Sequence, residues 1–322
     1  MRSLFVMDPL DRINVRGDST FVTMRECTDR GLPVWMCTPD GLYVRDGRAR
    51  ARAVAVRTTA APPHFHVGEA VDLDLGDVDV VWMRKDPPFD MRYIFSTYLL
   101  DMAPPETLIV NAADGLKLFN EKMWVMARWP HLQPTTLLSN NAEQLRAFVE
   151  AQPDRAVLKP WDGNGGRGVL VTARGDRNLG SMIDILTNEG RDYVIAQRYL
   201  PEVVDGDKRI LLFDGEPVGA MLRVPADRDH RANMHVGATV RATELSPRDR
   251  EICGEIGPAL KRWGMVFVGI DVIGGNLTEI NVTSPTGIQE MNRLYGTRLE
   301  ATLVDCVLSK LAVHRSTAKE NR

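Results

Sequence analysis

The chain has 322 residues, of which 44% are hydrophobic and 26% charged, with a formal net charge of -3. That length allows two or three domains around a well-buried core, and the composition is that of an ordinary soluble globular protein. The charge balance excludes an overall basic field for nucleic acid, and no apolar stretch approaches the ~20 residues of a membrane-spanning helix.

The opening MRSLFVMDPL turns acidic after six residues and lacks the apolar core of a signal peptide. Cys27, Cys37, Cys253 and Cys306 are widely spaced and form no CxxC pair. Neither a disulfide framework nor a zinc site is expected, and reduced thiols in the cytoplasm are the default.

LFVMD (4 to 8) reads as a buried strand, residues 19 to 30 as a helix and PVWMC (33 to 37) as the next strand. VDVVWMRK (78 to 85) is another buried strand. The rigid turn DPPFD (86 to 90), a helical stretch at 91 to 101 and a strand at TLIVN (107 to 111) follow. Strands alternating with helices predict a small parallel α/β domain. Arg45 to Arg57 read as a solvated hairpin, and His64-Phe65-His66 as an exposed loop with no third metal ligand nearby.

Residues 114 to 129 have helical periodicity, with Leu116, Phe119, Met123, Met126 and Ala127 on one face. Trp124 and Trp129 in that helix read as packing residues. The pattern then changes. VLKP (157 to 160) and GVLVTA (168 to 173) flank a glycine loop, followed by YVIAQRYL (193 to 200) and RILLFDGEPVGAMLRV (209 to 224). Asp214-Gly215 between two apolar runs is a strong hairpin signal. This half is expected to be mostly antiparallel with helices, with a boundary near 115 to 122. Ser246-Pro247-x-Asp249 reads as a capped helix start. Ile252, Ile256, Leu260 and Trp263 line one face of that helix, Pro258 predicts a kink and Gly264 ends it. STAKENR (316 to 322) reads as a disordered tail.

LKPWDGNGGRG (158 to 168) carries Gly163-x-Gly165-x-x-Gly168, the spacing of a dinucleotide-binding fingerprint. That fingerprint must follow a strand and open a helix. Here the following GVLVTARG is β-branched and apolar with no helical period, so a strand–loop–strand unit is expected. Such a loop can still cover phosphates, because glycine permits positive φ and close approach of N–H groups to an anion. Lys159 adds a point charge. Taken alone, the same residues also describe a flexible hairpin with an exposed lysine.

In GIDVIGGNLTEINVTSPTG (269 to 287), strands at 267 to 273 and 277 to 282 flank Gly274-Gly275-Asn276. Glu279 and Asn281 are two apart and share a face. A three-residue loop pairs Asp271 with Glu279 and puts all three on that face, cross-strand Cβ atoms about 5 Å apart. A two-residue loop puts Asp271 on the opposite face. Carboxylates that close need a proton or a cation, and an all-oxygen set suits Mg²⁺ completed by substrate phosphates. A solvated hairpin face is the alternative reading. Loop, lysine and acidic hairpin together point to ATP chemistry. Ser96, Ser139 and Ser284 lie in no G-x-S-x-G elbow, which argues against a hydrolase.

MDPLDRIN (7 to 14), MRKDPPFD (83 to 90), NEK (120 to 122), LKPWDGNGG (158 to 166), DGDKR (205 to 209) and VGIDVIG with LTEINVTSPTG together resemble bacterial glutathione synthetase, a family of the ATP-grasp superfamily. The resemblance covers roughly residues 2 to 312. It implies an α/β (α+β) ATP-grasp fold: an N-terminal parallel α/β pre-ATP-grasp domain over 1–121 and an ATP-grasp domain with antiparallel-sheet subdomains over 122–314. A lid subdomain would span about 130–200 and a disordered tail 315–322.

The same resemblance implies roles by position. Lys122 and Lys159 would contact ATP phosphates, and the loop 162 to 168, with Gly163, Gly165 and Gly166, would close over them. Gln197, Arg198, Tyr199 and Leu200 would form the adenine-binding linker, with backbone groups reading the base edge, and Asp207 would bind the ribose. Asp271, Glu279 and Asn281 would hold two Mg²⁺ ions, or Mn²⁺, with Glu279 bridging them. Arg209, Arg223 and Asn233 would face the transferring phosphoryl group, and Ser284, Pro285 and Thr286 the peptide substrate. The implied reaction joins γ-glutamylcysteine to glycine with ATP, in a cytoplasmic homo-oligomer, a tetramer, with no nucleic-acid or membrane partner.

One segment departs from the family. An Arg-Gly-Asn segment followed by a Gly-Gly pair is expected near the acyl site, yet HRANMHVGATVR (230 to 241) has Ala232 and Ala238 in place of glycines, and His235. This leaves open another ATP-grasp carboxylate–amine ligase with a different acceptor. A non-catalytic ATP-binding regulator on the same fold is a third reading. It is disfavoured because Lys122, Lys159, Asp271, Glu279 and Asn281 are all present.

Overall fold

Every residue of Ser3–Met7 (β1) is buried, as in a strand covered on both faces. The computed structural model describes residues 1–163, 165–225 and 239–320. After β1 come α1 (Ser19–Asp29), β2 (Val34–Cys37), β3 (Leu42–Arg45), β4 (Arg48–Thr58), β5 (Phe65–Asp74), β6 (Val80–Arg84), α2 (Met91–Asp101) and β7 (Leu108–Val110). They build a seven-stranded sheet in the order β3-β4-β2-β1-β6-β7, with β5 also pairing with β4.

β1, β2, β6 and β7 are parallel, whereas β3, β4 and β5 are antiparallel. The domain expected to be parallel is therefore mixed. In β4 the run Arg48-Ala49-Arg50-Ala51-Arg52-Ala53 buries its alanines and turns its arginines toward Asp72 and Asp74 of β5. Short alanines carry little hydrophobic signal, which hid the strand period. Asp46 (φ 52°) and Gly47 (φ 74°) make the tight turn of the β3–β4 hairpin. His66 lies on β5, not in the exposed loop expected there.

A helix break opens the second half. α3 (Ala113–Leu118) and α4 (Met123–Arg128) replace the single helix expected over 114 to 129. Asn120 Oδ1 accepts from the Lys122 and Met123 amides at 3.2 and 3.0 Å, a side-chain cap that competes with the helical ladder. Leu116 and Phe119 are buried as expected. In α4, however, Trp124 and Val125 face the core in place of Met123, Met126 and Ala127. Trp124 packs between Phe119 and Trp129.

Next come β8 (Thr136–Ser139), α5 (Ala142–Glu150), β9 (Arg155–Pro160), β10 (Leu170–Ala173), α6 (Leu179–Thr187), β11 (Val194–Arg198), β12 (Asp207–Phe213), β13 (Glu216–Val224) and β14 (Thr239–Ala242). α7 (Pro247–Arg262), β15 (Phe267–Ile273), β16 (Asn276–Asn281), α8 (Ile288–Tyr295) and α9 (Leu299–Glu320) complete the chain. Two antiparallel sheets result, in the orders β10-β9-β11-β8 and β14-β13-β12-β15-β16. The first packs on α5 and α6 around its own core of Leu145, Val149, Leu158, Ile183 and Val194. The second shares a core with the N-terminal sheet, where Leu4, Val6, Ile210, Leu212 and Ile270 lie in one cluster.

Asn111, just after β7, seals that join. Its side-chain amide donates to the Phe267 and Val282 carbonyls at 2.8 and 2.7 Å, and its oxygen accepts from Phe267 N at 2.9 Å. Asp214 (φ 50°) and Gly215 (φ 84°) form the expected β12–β13 turn. Ser246 and Asp249 make a reciprocal capping box on α7, which continues as one helix through Pro258. α9 runs to Glu320, so residues 316 to 320 are helical where a disordered tail was expected. Arg315 anchors that end by an ion pair with Asp79, and Ser316 Oγ donates back to the Val313 carbonyl at 2.7 Å. Among the described residues no helix is long and apolar enough to cross a membrane.

Candidate active site

The β15–β16 turn has two residues, Gly274 and Gly275, since Ile273 pairs with Asn276. The three-residue loop expected from the sequence is absent, yet Asp271 still faces Glu279. A β-bulge reconciles the two. Thr278 is an extra residue between the pairs Val272–Leu277 and Asp271–Glu279. Without it, Leu277 and Glu279 would point the same way. With it, Leu277 enters the core beside Val272 and Glu279 turns to the opposite face. Thr278 Oγ1 donates to the Asp271 carbonyl at 3.0 Å, and Asn281 Nδ2 to Asp271 Oδ2 at 3.2 Å.

β12 lies on the other side of β15 and supplies the counter-charges. Arg209 pairs with Asp271 in register, and Asp207 pairs with Arg223 of β13. Arg209 forks onto Asp271, Nε to Oδ1 at 2.5 Å and Nη2 to Oδ2 at 3.0 Å. Arg223 Nη2 bridges Asp207 and, at 3.0 Å, Asp271 Oδ1. All four side chains are buried, and two guanidinium groups balance two carboxylates. Burial opposes the Asp271 charge, but Arg209 and Arg223 outweigh it and hold its carboxyl well below the usual range. Burial pushes Asp207 up to about 7 against the pull of Arg223. Among the described residues Asp207 Oδ1 and Arg223 Nε are buried without a partner, so this corner retains polar capacity for a ligand.

The lysines stand on the other wall. The break between α3 and α4 delivers Lys122, whose Nζ meets Glu279 Oε1 at 2.7 Å and donates to the Gly163 carbonyl. Burial opposes its charge, but Glu279 and Glu121 raise its pKa. Lys159, at the end of β9, donates to Gln197 Oε1 at 3.0 Å, and Gln197 Nε2 donates to Thr136 Oγ1 at 2.8 Å. Burial, with Lys122 nearby, lowers Lys159 to about 8. Beyond it the glycine loop joins β9 to antiparallel β10, the strand–loop–strand form expected. Gly165, Gly166 and Gly168 adopt φ of 61°, 75° and 71°, a region closed to most other residues.

Every described residue expected in the site lines one cavity of about 910 Å³, including Arg198, Tyr199, Leu200, Ser284, Pro285 and Thr286. Asn233, with Ala232, His235 and Ala238, lies outside the described residues. The Arg198 and Tyr199 amides donate to the Thr135 and Arg155 carbonyls at 2.9 and 3.0 Å. These two amides are committed within the fold, not to a base edge. The Ser284–Thr286 loop is held by an arginine from each half of the chain. Arg84 Nη2 donates to Pro285 O at 2.9 Å and Arg209 Nη1 to Thr286 O at 3.2 Å.

The same cavity is also lined by Asp8, Asn14, Asp18 and Asp86 of the N-terminal half and by Glu290 of α8. Sequence reasoning gave these no role. The motifs MDPLDRIN and MRKDPPFD were the available signal for three of them, Asp8, Asn14 and Asp86.

Asp271, Glu279 and Asn281 offer hard oxygen donors only, the chemistry of a Mg²⁺ site. Among the described residues no group of three or more His, Cys, Asp or Glu could hold a metal ion alone. A cation here needs ligand oxygens to complete its shell and must share Asp271 with Arg209 and Arg223. On those terms the residues fit a phosphate-bound divalent ion.

Comparison with known families decides what the cavity serves. The family model for the prokaryotic glutathione synthetase N-terminal domain matches residues 1–117, and that for its ATP-grasp domain matches residues 121–296. The chain belongs to the prokaryotic glutathione synthetase family. Curated relatives agree. Glutathione synthetase of Brucella melitensis is 46% identical over 303 residues, covering 94% of this chain and 96% of that protein. Glutathione synthetase of Rhodopseudomonas palustris is 46% identical over 308 residues, covering 95% and 97%. Solved structures support the fold. The D-cycloserine synthetase DcsG aligns with a TM-score of 0.68 at 14% identity, covering 96% of this chain and 99% of that one. The ATP-grasp ligase PsnB, complexed with its minimal precursor, Mg and ADP, aligns at 0.61 and 15%, covering 96% and 98%. The fold is ATP-grasp. The activity is ATP-dependent ligation in glutathione synthesis, on small-molecule substrates and with a divalent metal.

Proposed function

We propose that this chain joins γ-glutamylcysteine to glycine through an acyl phosphate, with the residue roles that follow. The observation that carries the reading is the convergence of both lysines, the glycine loop, the oxygen-donor face and both buried arginines on one cavity.

The cysteinyl carboxylate attacks the γ-phosphate of ATP, forming an acyl phosphate and releasing ADP. The glycine amine then attacks the activated carbonyl, and phosphate leaves. Phosphoryl transfer asks the protein for position and charge compensation, so no protein nucleophile is needed. Lys122 and Lys159 neutralise the phosphates as point charges. Asp271, Glu279 and Asn281 would hold two Mg²⁺ ions, and Mn²⁺ would suit the same donors. The metal supplies charge neutralisation at the phosphate oxygens. Arg209 and Arg223 stabilise charge on the transferred group and on the tetrahedral intermediate. Asp271 fixes both guanidinium groups in advance, which lowers the cost of orienting them during reaction. Asp207 meets the ribose. The Ser284–Thr286 loop holds the peptide, Asn233 adds to the acyl site, and the glycine loop shields the acyl phosphate from water. The chain works in the cytoplasm as a homo-oligomer, a tetramer, with a division near residue 121.

Phosphate release with ATP, Mg²⁺ and γ-glutamylcysteine tests this reading when glycine or another amine is added. Turnover should require glycine. Turnover only with a different amine would replace glycine as acceptor, the alternative motivated by Ala232, His235 and Ala238 in the departing segment.

A further inference from the structure

The break between α3 and α4 delivers two neighbours to β16, and only one of them has a role so far. Lys122 meets Glu279. Glu121 turns along the strand instead. Its main-chain carbonyl accepts from Ile280 N at 2.9 Å. Its Oε1 accepts from Val282 N at 3.0 Å, Thr283 N at 3.1 Å and Thr283 Oγ1 at 2.8 Å.

These bonds lie where β16 has run out. Asn281 is its last residue and pairs with Gly269. Val282 and Thr283 are buried, so their amides need acceptors that the sheet no longer offers. One carboxylate oxygen serves both amides and the Thr283 hydroxyl. The residues on either side of Asn281 are thus gripped by the same side chain and its own carbonyl. One step further on, the Ser284–Thr286 loop begins.

We propose that Glu121 is a positioning residue: by accepting from Val282 and Thr283 while its carbonyl holds Ile280, it sets Asn281 and the Ser284–Thr286 loop relative to Lys122. This rests on the metal and substrate roles proposed above for those residues. All three bonds to Oε1 come from N–H or O–H donors, so an amide oxygen at the same reach can accept them as well as a carboxylate. The geometry therefore requires acceptor position, not charge. Burial and the neighbouring Glu279 raise the Glu121 pKa, in keeping with a group that does not depend on its charge.

The test compares Glu121→Gln with Glu121→Asp. Glutamine keeps the acceptor and the reach but loses the charge. Aspartate keeps the charge but is one methylene shorter. Glu121→Gln should stay within about threefold of the parent in kcat. Glu121→Asp should lose kcat by the order of a hundredfold, as expected for reacting groups displaced by about 1 Å. It should also require more Mg²⁺ for half-maximal rate and show a higher KM for γ-glutamylcysteine. Calorimetric titration of each folded variant with Mg²⁺ and an ATP analogue gives a second reading, expected to weaken about tenfold or more for Asp only. The reverse order, with Asp near the parent and Gln impaired, would overturn the proposal in favour of a charge role. Equal binding and kinetics in both variants, with only a changed melting temperature, would reduce Glu121 to a structural residue. If the parent binds Mg²⁺ and the ATP analogue but makes no glutathione, the proposed reaction fails, while the calorimetric order of the variants still decides the role of Glu121.

Discussion

Asp271 and Glu279 face each other across a hairpin whose two-residue turn alone would set Asp271 opposite Thr278. The extra residue, Thr278, reverses the facing of everything after it. The same strand can then give Leu277 to the core and Glu279 to the cavity. A strand of strict alternation cannot do both.

The first consequence concerns Glu279. Glu279→Ala removes the partner of Lys122 and one oxygen donor of the candidate metal face. Turnover should fall by roughly 10²–10³, the scale of losing one main electrostatic stabiliser. The variant should remain folded by circular dichroism. Near-normal phosphate release would remove Glu279 from the site.

Arg223 offers a stability test. Arg223→Met leaves Asp207 and part of Asp271 buried without their counter-charge. Breaking a buried pair on one side costs about 3–5 kcal/mol, with the lower end expected because Arg209 still grips Asp271. Urea unfolding of the ligand-free variant measures it.

Lys159 predicts a pH dependence. Burial lowers it from 10.5 to about 8 in the folded chain, so between those values the unfolded chain holds the extra proton. Stability from this group therefore rises with pH across that window. Binding of an ATP analogue by the free enzyme should do the opposite and weaken as pH rises through about 8, where the ammonium charge is lost. Lys159→Arg, which stays charged, should flatten the binding profile. A parent profile flat from pH 7 to 9 would contradict the assignment.

Gly168 tests the loop. It has φ of 71°, and a Cβ there would lie 2.8 Å from Pro160 Cγ. Gly168→Ala should cost about 1–2 kcal/mol in backbone strain and raise the KM for ATP more than the KM for γ-glutamylcysteine. Thermal unfolding and initial-rate kinetics check the two parts separately.

Metal removal gives a further check on the oxygen face. Chelation should abolish phosphate release, and added Mg²⁺ should restore it. Titration with an ATP analogue counts the ions; one ion per chain would reject the two-ion reading.

The sequence alone determined the kinds of chemistry present. Lys159 before the glycine loop, the Glu279-x-Asn281 spacing and the Asp214-Gly215 turn are local patterns, set by residue type and by periods of two or a few residues. Motifs along the whole chain carried the family. Tertiary structure decided how those pieces meet. The bulge at Thr278 brings Glu279 opposite Asp271, where the regular register of the two-residue turn would put Thr278. The helix break at Asn120 exists because Lys122 finds a partner on β16 and Glu121 finds partners just beyond it, both distant in sequence. The antiparallel extension β3–β5 forms because Ala49, Ala51 and Ala53 fill a core that their small side chains do not announce. Arg209 on the adjacent strand and Arg223 two strands away hold the Asp271 carboxyl well below the usual range. Each depends on the free energy of contacts between distant segments, which no local period records.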